Sequence, residues 1–255
     1  MQQLPPQPAY ILHSRPYRDS SLILALLTPD YGRIACIAKG ARRDKQRRQR
    51  ALQPFAPLLV TLLGRHELKT LGPLENAGQP LWLKGRAVYA GLYANELLVR
   101  LMPEGESQVS IFVAYQNLLQ RLASLSGEKS DELELPLRIF ELQMLQALGS
   151  CPELDYCSLE GAAIRPDGVY RLTLEEGFVP VAVPPGQALR GADFVGGQLL
   201  ALAQLLAEDT LFESRTAPQG QLGDAKRLTR LLLSPMLGQR PLKSRELFRQ
   251  VYCAD

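Results

Sequence analysis

Short stretches of alternating apolar and polar residues fill the first third of the chain. They cover residues 9–14, 21–28, 33–39, 54–64 and, at least in part, 67–77. Alternation with a period of two is typical of half-buried strands, and in the third stretch it places Ile34, Cys36 and Ala38 on one face. Five short strands in about seventy residues predict a small closed sheet, for which the OB-fold, a five-stranded Greek-key barrel, is the candidate.

After residue 80 the apolar period changes from two to about 3.6, which is typical of amphipathic helices. Helices are predicted over residues 85–102, 109–125, 134–149, 196–208, 224–237 and 241–252. The last of them places Leu247 and Val251 together as an apolar pair, with Lys243, Arg245 and Arg249 exposed. The predicted fold class is therefore α+β. An OB-fold domain occupies residues 1–80, and a mainly helical domain, residues 81–255, contains a small β element at about 151–185.

Basic charge is concentrated near the start of the chain. Residues 1–80 carry twelve Lys or Arg and five Asp or Glu, although the net charge of the whole chain is only +3. Residues 39–50 alone hold seven basic residues and one acid, Asp44. Such a run favours a polyanionic partner, and nucleic acid is the first hypothesis. The alternative is a solvated surface loop.

The barrel hypothesis identifies candidate contacts for nucleic acid. OB-folds bind strands on the face of strands 2 and 3 and with the loops that join strands 1–2 and 4–5. The first loop, residues 14–21, offers Arg15 and Arg18 for phosphates and Tyr17 for stacking, although Tyr17 is equally well explained as a packed rim residue. The second loop offers Arg65. The basic run adds Lys39, Arg42, Arg43, Lys45, Arg47, Arg48 and Arg50.

Two later helices carry further basic residues. They are Lys226, Arg227 and Arg230 in one helix and Lys243 and Arg245 in the last. These residues either extend a nucleic-acid surface or form solvated helix faces paired with local acids, and both interpretations stay open.

Motifs of the common enzyme classes are missing from the sequence. There is no P-loop, no G-x-S-x-G, no H-E-x-x-H and no paired C-x-x-C, and only two histidines are present. Cys151 and Cys157 have no second cysteine pair nearby, so a zinc site is not expected. The predicted protein is a binding protein without catalytic residues, cofactor or small-molecule substrate. We expect no membrane segment and a cytoplasmic, nucleoid-associated location.

Several segments resemble the RecO family of bacterial recombination and repair proteins. They are HSRPYRDSSLILALLT, GRIACIAKGARR, ALQPFAPLLV, LKTL, GLYANELLVRL, RIFELQMLQALG and PLKSRELFRQ. The resemblance implies an N-terminal OB-fold, a helical domain, binding of single- and double-stranded DNA, and annealing of complementary strands. It also implies binding to the acidic C-terminal tail of single-stranded DNA-binding protein (SSB), and loading of RecA with the partner RecR and, in some pathways, RecF. Many family members carry a four-cysteine zinc motif that this chain lacks, so its β element is expected to be a degenerate, metal-free zinc-ribbon-like version.

The resemblance also suggests a site for the SSB tail in the helical domain. A tail that ends in apolar residues and a carboxylate needs an apolar pocket with a basic rim. Arg138 is the candidate carboxylate contact, with Phe140 and Leu142 beside it. An ordinary salt bridge between helices explains Arg138 equally well.

These observations predict a non-enzymatic DNA repair and recombination mediator. The alternative is a nucleic-acid-processing enzyme anchored by an OB-fold, because a metal site built from scattered carboxylates leaves no sequence motif. A third hypothesis is a protein-interaction scaffold whose basic run meets an acidic protein.

Overall fold

A computed structural model describes residues 3–43, 52–79, 81–129, 131–184, 186–208 and 219–252. Five strands form a closed barrel in the order β1-β2-β3-β5-β4, in which only the β3–β5 pair is parallel. The strands are β1 (Gln7–Tyr17), β2 (Ser21–Thr28), β3 (Gly32–Ala38), β4 (Leu58–Leu63) and β5 (Lys69–Asn76). The five-stranded barrel and the α+β class are therefore confirmed.

The barrel interior follows from the alternation of apolar side chains along each strand. Ile34, Cys36 and Ala38 are buried on one face of β3, as predicted. They pack with inward-facing residues of the other strands and of the segments that flank β4, which are Ala9, Ile11, Leu24, Leu26, Ala41, Leu52, Leu58, Val60 and Leu62. Removing this apolar surface from water is the main force that closes the sheet.

A bulge in the middle of β1 ties the barrel to the helices that follow. Ile11 pairs with Leu26 and His13 with Ala25, so Leu12 has no partner on β2. Its carbonyl accepts a hydrogen bond from Asn95 Nδ2 at 3.0 Å, and Asn95 Oδ1 accepts one from the Tyr115 hydroxyl at 2.5 Å. Asn95 and Tyr115 are both buried, so this network satisfies polar groups that water does not reach.

Six helices lie in the described parts of the chain after the barrel. They are α1 (Arg86–Leu101), α2 (Val109–Ser124), α3 (Asp131–Ala147), α4 (Gly196–Glu208), α5 (Gln219–Leu237) and α6 (Lys243–Tyr252). The apolar stripe of α2 is buried, and it includes Tyr115 and Phe112, whose rings contact Tyr10 of β1. Gly149, at φ 67°, ends α3 by donating to the Gln146 carbonyl, while Ser150 donates to that of Leu145. The predicted helix end at Gly149 is confirmed.

The chain divides into two compact units. The first comprises residues 1–133 and 239–255, so it contains the barrel, α1, α2 and α6. The second comprises residues 134–238, with most of α3, the small strands, α4 and α5. The two units are defined by contacts between helices and strands, whereas the predicted domains were defined by the change in the spacing of apolar residues along the sequence. The domain boundary at residue 80 stays a prediction.

The last helix buries a different face from the predicted one. Leu247 and Val251 are exposed, and the aromatic rings of Phe248 and Tyr252 pack against Tyr89 of α1 instead. The predicted Leu247–Val251 pair therefore lies on the surface, because the two larger aromatic rings occupy the face that meets α1.

A carboxylate on α1 fixes the start of α6. Glu96 accepts hydrogen bonds from the backbone N–H groups of Lys243 and Ser244 and from the Ser244 hydroxyl, and it pairs with Arg100. Burial raises the pKa of Glu96, but these hydrogen bonds and the Arg100 charge outweigh burial, so its pKa is lowered overall. Glu96 therefore acts as an N-terminal cap supplied by another helix.

The small β region of the second unit consists of a two-stranded and a three-stranded sheet. Its strands are β6 (Tyr156–Cys157), β7 (Ala162–Ala163), β8 (Val169–Thr173), β9 (Gly177–Pro180) and β10 (Asp193–Val195). It extends to Val195, about ten residues beyond the predicted end, because β10 pairs with β8.

Both cysteines of this region lie in surroundings that favour the neutral thiol. The buried Cys157 thiol donates to the Phe178 carbonyl, and burial raises the pKa of Cys151 to about 12. Within the described ranges, no three His, Cys, Asp or Glu side chains come together as metal ligands.

Across the same residues, no helix has the length and apolar character needed to cross a membrane.

Removing the Asn95 bridge is expected to destabilise the first unit. Asn95→Leu removes the hydrogen bonds that Asn95 makes to the Leu12 carbonyl and to the Tyr115 hydroxyl in a buried site, at a cost of about 2–4 kcal/mol. Tyr115→Phe removes one hydrogen bond and keeps the ring, so about 1 kcal/mol is expected. Urea unfolding followed by circular dichroism measures both. Equal midpoints for the Asn95 variant and the unmodified protein would contradict this role.

Candidate nucleic-acid interface

Strand β1 continues further than the sequence suggested, and this places two candidate residues on a strand. Arg15 pairs with Ile23 and Tyr17 with Ser21, so the β1–β2 loop consists only of residues 18–20. The prediction that Arg15 and Tyr17 lie in this loop was wrong, because the pairing of β1 with β2 extends to the turn. Arg15 is exposed and Tyr17 is half-buried, with the Arg18 guanidinium 5.2 Å from its ring centroid. Tyr17 thus already has a cationic partner on its ring.

The start of the basic run is fastened to the β1–β2 loop. The backbone N–H of Arg42 donates to the Ser20 carbonyl at 2.9 Å, and Arg42 Nη1 donates to the Arg18 carbonyl at 3.1 Å. Gly40, at φ 67°, supports the turn in which the Arg43 N–H donates to its carbonyl. The side chains of Lys39, Arg42 and Arg43 are exposed. Arg15, Arg18, Lys39, Arg42 and Arg43 are called the basic face below.

A groove of about 590 Å³ lies beside the basic face. It is lined by Ser14, Pro16, Asp19, Leu22, Ala41, Arg42, Arg43, Leu52, Gln53 and Pro54. Apolar side chains and two guanidinium groups therefore border the same space. Ser14, Asp19 and Gln53 were not among the predicted contacts, although Ser14 and Asp19 lie in the same sequence segment as Arg15 and Arg18.

The other predicted contacts of the first unit lie on other elements or fall outside the described residues. Arg65 is exposed in the β4–β5 loop, as predicted. Lys45, Arg47, Arg48 and Arg50 fall outside the described residues. Lys243 and Arg245 are both exposed, as predicted, and Arg245 also lies over the Tyr93 ring at 5.2 Å and donates to the Tyr93 hydroxyl.

The basic residues of α5 have partners inside the second unit. Lys226 pairs with Glu134 of α3. The Arg227 guanidinium lies 3.9 Å from the Phe194 ring centroid and donates to the carbonyl of Asp193, and it also pairs with Asp224. Only Arg230 of the three predicted residues is fully exposed. For Lys226 and Arg227 the structure supports the alternative of pairing with local acids.

Asp193 holds the strands of this unit together. Its buried carboxylate accepts from Arg171 Nε at 2.7 Å and from the backbone N–H of Arg190. The hydrogen bond from Arg171 is the main reason why the pKa of Asp193 is lowered. The charge clusters of the second unit therefore stabilise its packing.

Comparison with known proteins identifies the family. The family model of the recombination protein O N terminal matches residues 1–77, and that of the recombination protein O C terminal matches residues 84–246. The DNA repair protein RecO of Cellvibrio japonicus (strain Ueda107) is 40% identical over 242 residues, which are 95% of each chain. That of Yersinia pestis (strain Pestoides F) is 42% identical over 245 residues, 96% of this chain and 94% of the relative.

The chain belongs to the RecO family. The matches cover both the barrel and the helical region, so the resemblance found in the sequence is confirmed over nearly the whole length. The protein is accordingly a DNA repair protein of this family.

The three residues predicted to bind the SSB tail have structural partners. Phe140 and Leu142 are buried at 1% and 0% exposure, so neither offers surface to a peptide in this conformation. Arg138 Nη1 lies 2.7 Å from Glu141 Oε2 and donates to the Thr229 hydroxyl of α5. The alternative was a salt bridge between helices, but the ion pair of Arg138 lies within α3, and its link to α5 is the hydrogen bond to Thr229. Tail binding at these residues stays a prediction.

Arg138 is therefore expected to matter for stability. Glu141 has no exposed surface, so Arg138→Met leaves a buried carboxylate without its cation and costs about 3 kcal/mol. Lys226→Met, at the more exposed pair with Glu134, is the control and should cost at most about 1 kcal/mol. Urea midpoints measure both. The double variant Arg138→Met/Glu141→Gln should recover part of the loss, and an Arg138 variant no weaker than the Lys226 control would contradict the assignment.

Proposed function

We propose that the protein is a non-enzymatic mediator of DNA repair that binds DNA strands through its basic face. The observation that carries the proposal is the pair of hydrogen bonds from Arg42 to the β1–β2 loop. These bonds bring Arg18 and the start of the basic run together on one side of the barrel, next to a groove. Residues 44–50 continue the run with four more cations, Lys45, Arg47, Arg48 and Arg50.

The chemistry of this face suits phosphate. Arg and Lys side chains neutralise phosphate oxygens and release counterions whatever the base sequence. Binding on this basis accommodates single and double strands. When two complementary strands meet on or near the same basic face, their mutual repulsion falls, and this favours annealing.

Family membership suggests which proteins the proposed mediator binds. We propose that the protein binds the SSB tail and RecR and helps RecA to load onto SSB-coated DNA in the cytoplasm. The tail needs an apolar pocket with a cationic rim. Because Phe140 and Leu142 are buried, tail binding at Arg138 requires a rearrangement of α3, or else another surface of the helical region receives the tail.

Neutralising the basic face should weaken binding to every DNA sequence alike. For Arg42→Gln/Arg43→Gln we expect an affinity loss of at least about tenfold near physiological salt. Each lost phosphate contact also lowers the slope of log K against log salt by about 0.7 for single strands, so the slope should fall by roughly 1.4. Fluorescence anisotropy of labelled oligonucleotides across a salt series measures both quantities.

The control removes the same charge elsewhere. Lys84→Gln/Lys129→Gln replaces two exposed cations outside the basic face and should change the slope little. Equal slopes for the two double variants would contradict binding at the basic face. Metal-dependent cleavage of the oligonucleotide that persists through further purification would instead favour the processing-enzyme hypothesis.

A further inference from the structure

The groove beside the basic face has walls of mixed chemistry. Pro16, Leu22 and Pro54 border it with apolar surface, while Arg42 and Arg43 supply cations. Its volume of about 590 Å³ lies within the range of small-ligand pockets, roughly 300–1,000 Å³. A groove of this kind is suited to a ligand that is partly apolar and attached to an anion.

A nucleotide has this composition, and the walls suggest which part of it enters. Phosphates remain on the Arg42 and Arg43 side, because apolar walls give a charged group no compensation for lost water. The flat faces of a base do gain from apolar contact. In a duplex the bases are stacked and paired, so only an unpaired base reaches the groove.

One lining residue goes against the basic character of the face. Asp19 is exposed in the β1–β2 loop and carries the one carboxylate among the lining residues that the structure describes. It has no hydrogen-bond or ion-pair partner in the parts of the chain that the structure describes. A carboxylate repels phosphate and accepts hydrogen bonds only, so it suits a ligand edge that donates.

The base edges differ in what they offer to Asp19. Cytosine presents an amino group at the position where thymine presents a carbonyl oxygen. The two bases are similar in size, and they differ at this group, at the adjacent ring nitrogen N3 and in the thymine methyl group. Cytosine donates to Asp19 from an amino group that has no carbonyl next to it, whereas the one donor of the thymine base, N3–H, lies between two carbonyl oxygens that repel a carboxylate.

Building on the proposed DNA binding, we infer that the groove binds unpaired bases and that Asp19 makes it prefer bases with an amino group, cytosine over thymine. Asp19 is then a specificity-determining residue within an interface whose phosphate contacts ignore sequence.

The test compares two labelled homopolymers of about twelve nucleotides, oligo(dC) and oligo(dT), with the full-length protein at neutral pH. We expect oligo(dC) to bind about three- to tenfold more tightly, as one hydrogen bond to a charged group allows. Asp19→Asn should bring the ratio close to one, because an amide both donates and accepts. Asp30→Asn, which removes an exposed carboxylate from the β2–β3 turn, should keep the original ratio.

A blunt duplex of the same length separates base binding from charge. Asp19→Asn removes a negative charge beside Arg42 and Arg43, so it should strengthen duplex binding slightly, whereas Asp30→Asn, at the other end of β2, should change it little. Salt-sensitive binding of both homopolymers with equal affinity would overturn the inference and leave the proposed function intact. Loss of the dC preference in both Asp variants would also overturn it. If neither homopolymer binds in a salt-sensitive way, both the inference and the proposed function are overturned.

Discussion

The bend of β1 is the constraint on which the first unit depends. The strand pairs with β4 through Gln7–Ala9 and with β2 from Tyr10 to Tyr17, and the bulge between Ile11 and His13 separates its two halves. A bulge leaves a backbone carbonyl outside the ladder, and a buried carbonyl without a partner is costly. Asn95 accommodates the bulge by donating to Leu12 and accepting from Tyr115. The same contacts hold α1 and α2 against the barrel.

The second half of β1 leads to the proposed DNA interface. Beyond the bulge the strand runs to Tyr17 and positions the loop whose carbonyls receive Arg42. Elsewhere the cations are used differently: Arg227 stacks on Phe194, and Arg138 neutralises a buried glutamate. A basic residue in the sequence is thus available to DNA only where packing leaves it exposed. This distinction concentrates the proposed DNA contacts on the barrel.

The spacing of apolar residues and the residues typical of turns predicted much of the fold. The five strands, the Ile34–Cys36–Ala38 face and the end of α3 at Gly149 follow from local residue patterns, which short-range physics determines. Contacts between segments that are far apart in the sequence could not be predicted. Three features depend on surfaces that meet only after folding. They are the capping of α6 by Glu96, the pairing of β10 with β8 and the packing of Phe248 rather than Leu247 against Tyr89. In the candidate site, the charge run was evident from sequence, whereas the groove with Asp19 required the three-dimensional arrangement.

The most direct test of the proposed function is the annealing rate of complementary strands coated with SSB, measured in the presence of the protein across a salt series. In the proposed function, annealing depends on neutralised phosphates and recruitment depends on the SSB tail. We therefore expect an acceleration that falls steeply with salt and is lost when the tail is removed from SSB. An acceleration that is unchanged by salt, or no acceleration at all, would contradict the claim that the basic face brings two strands together.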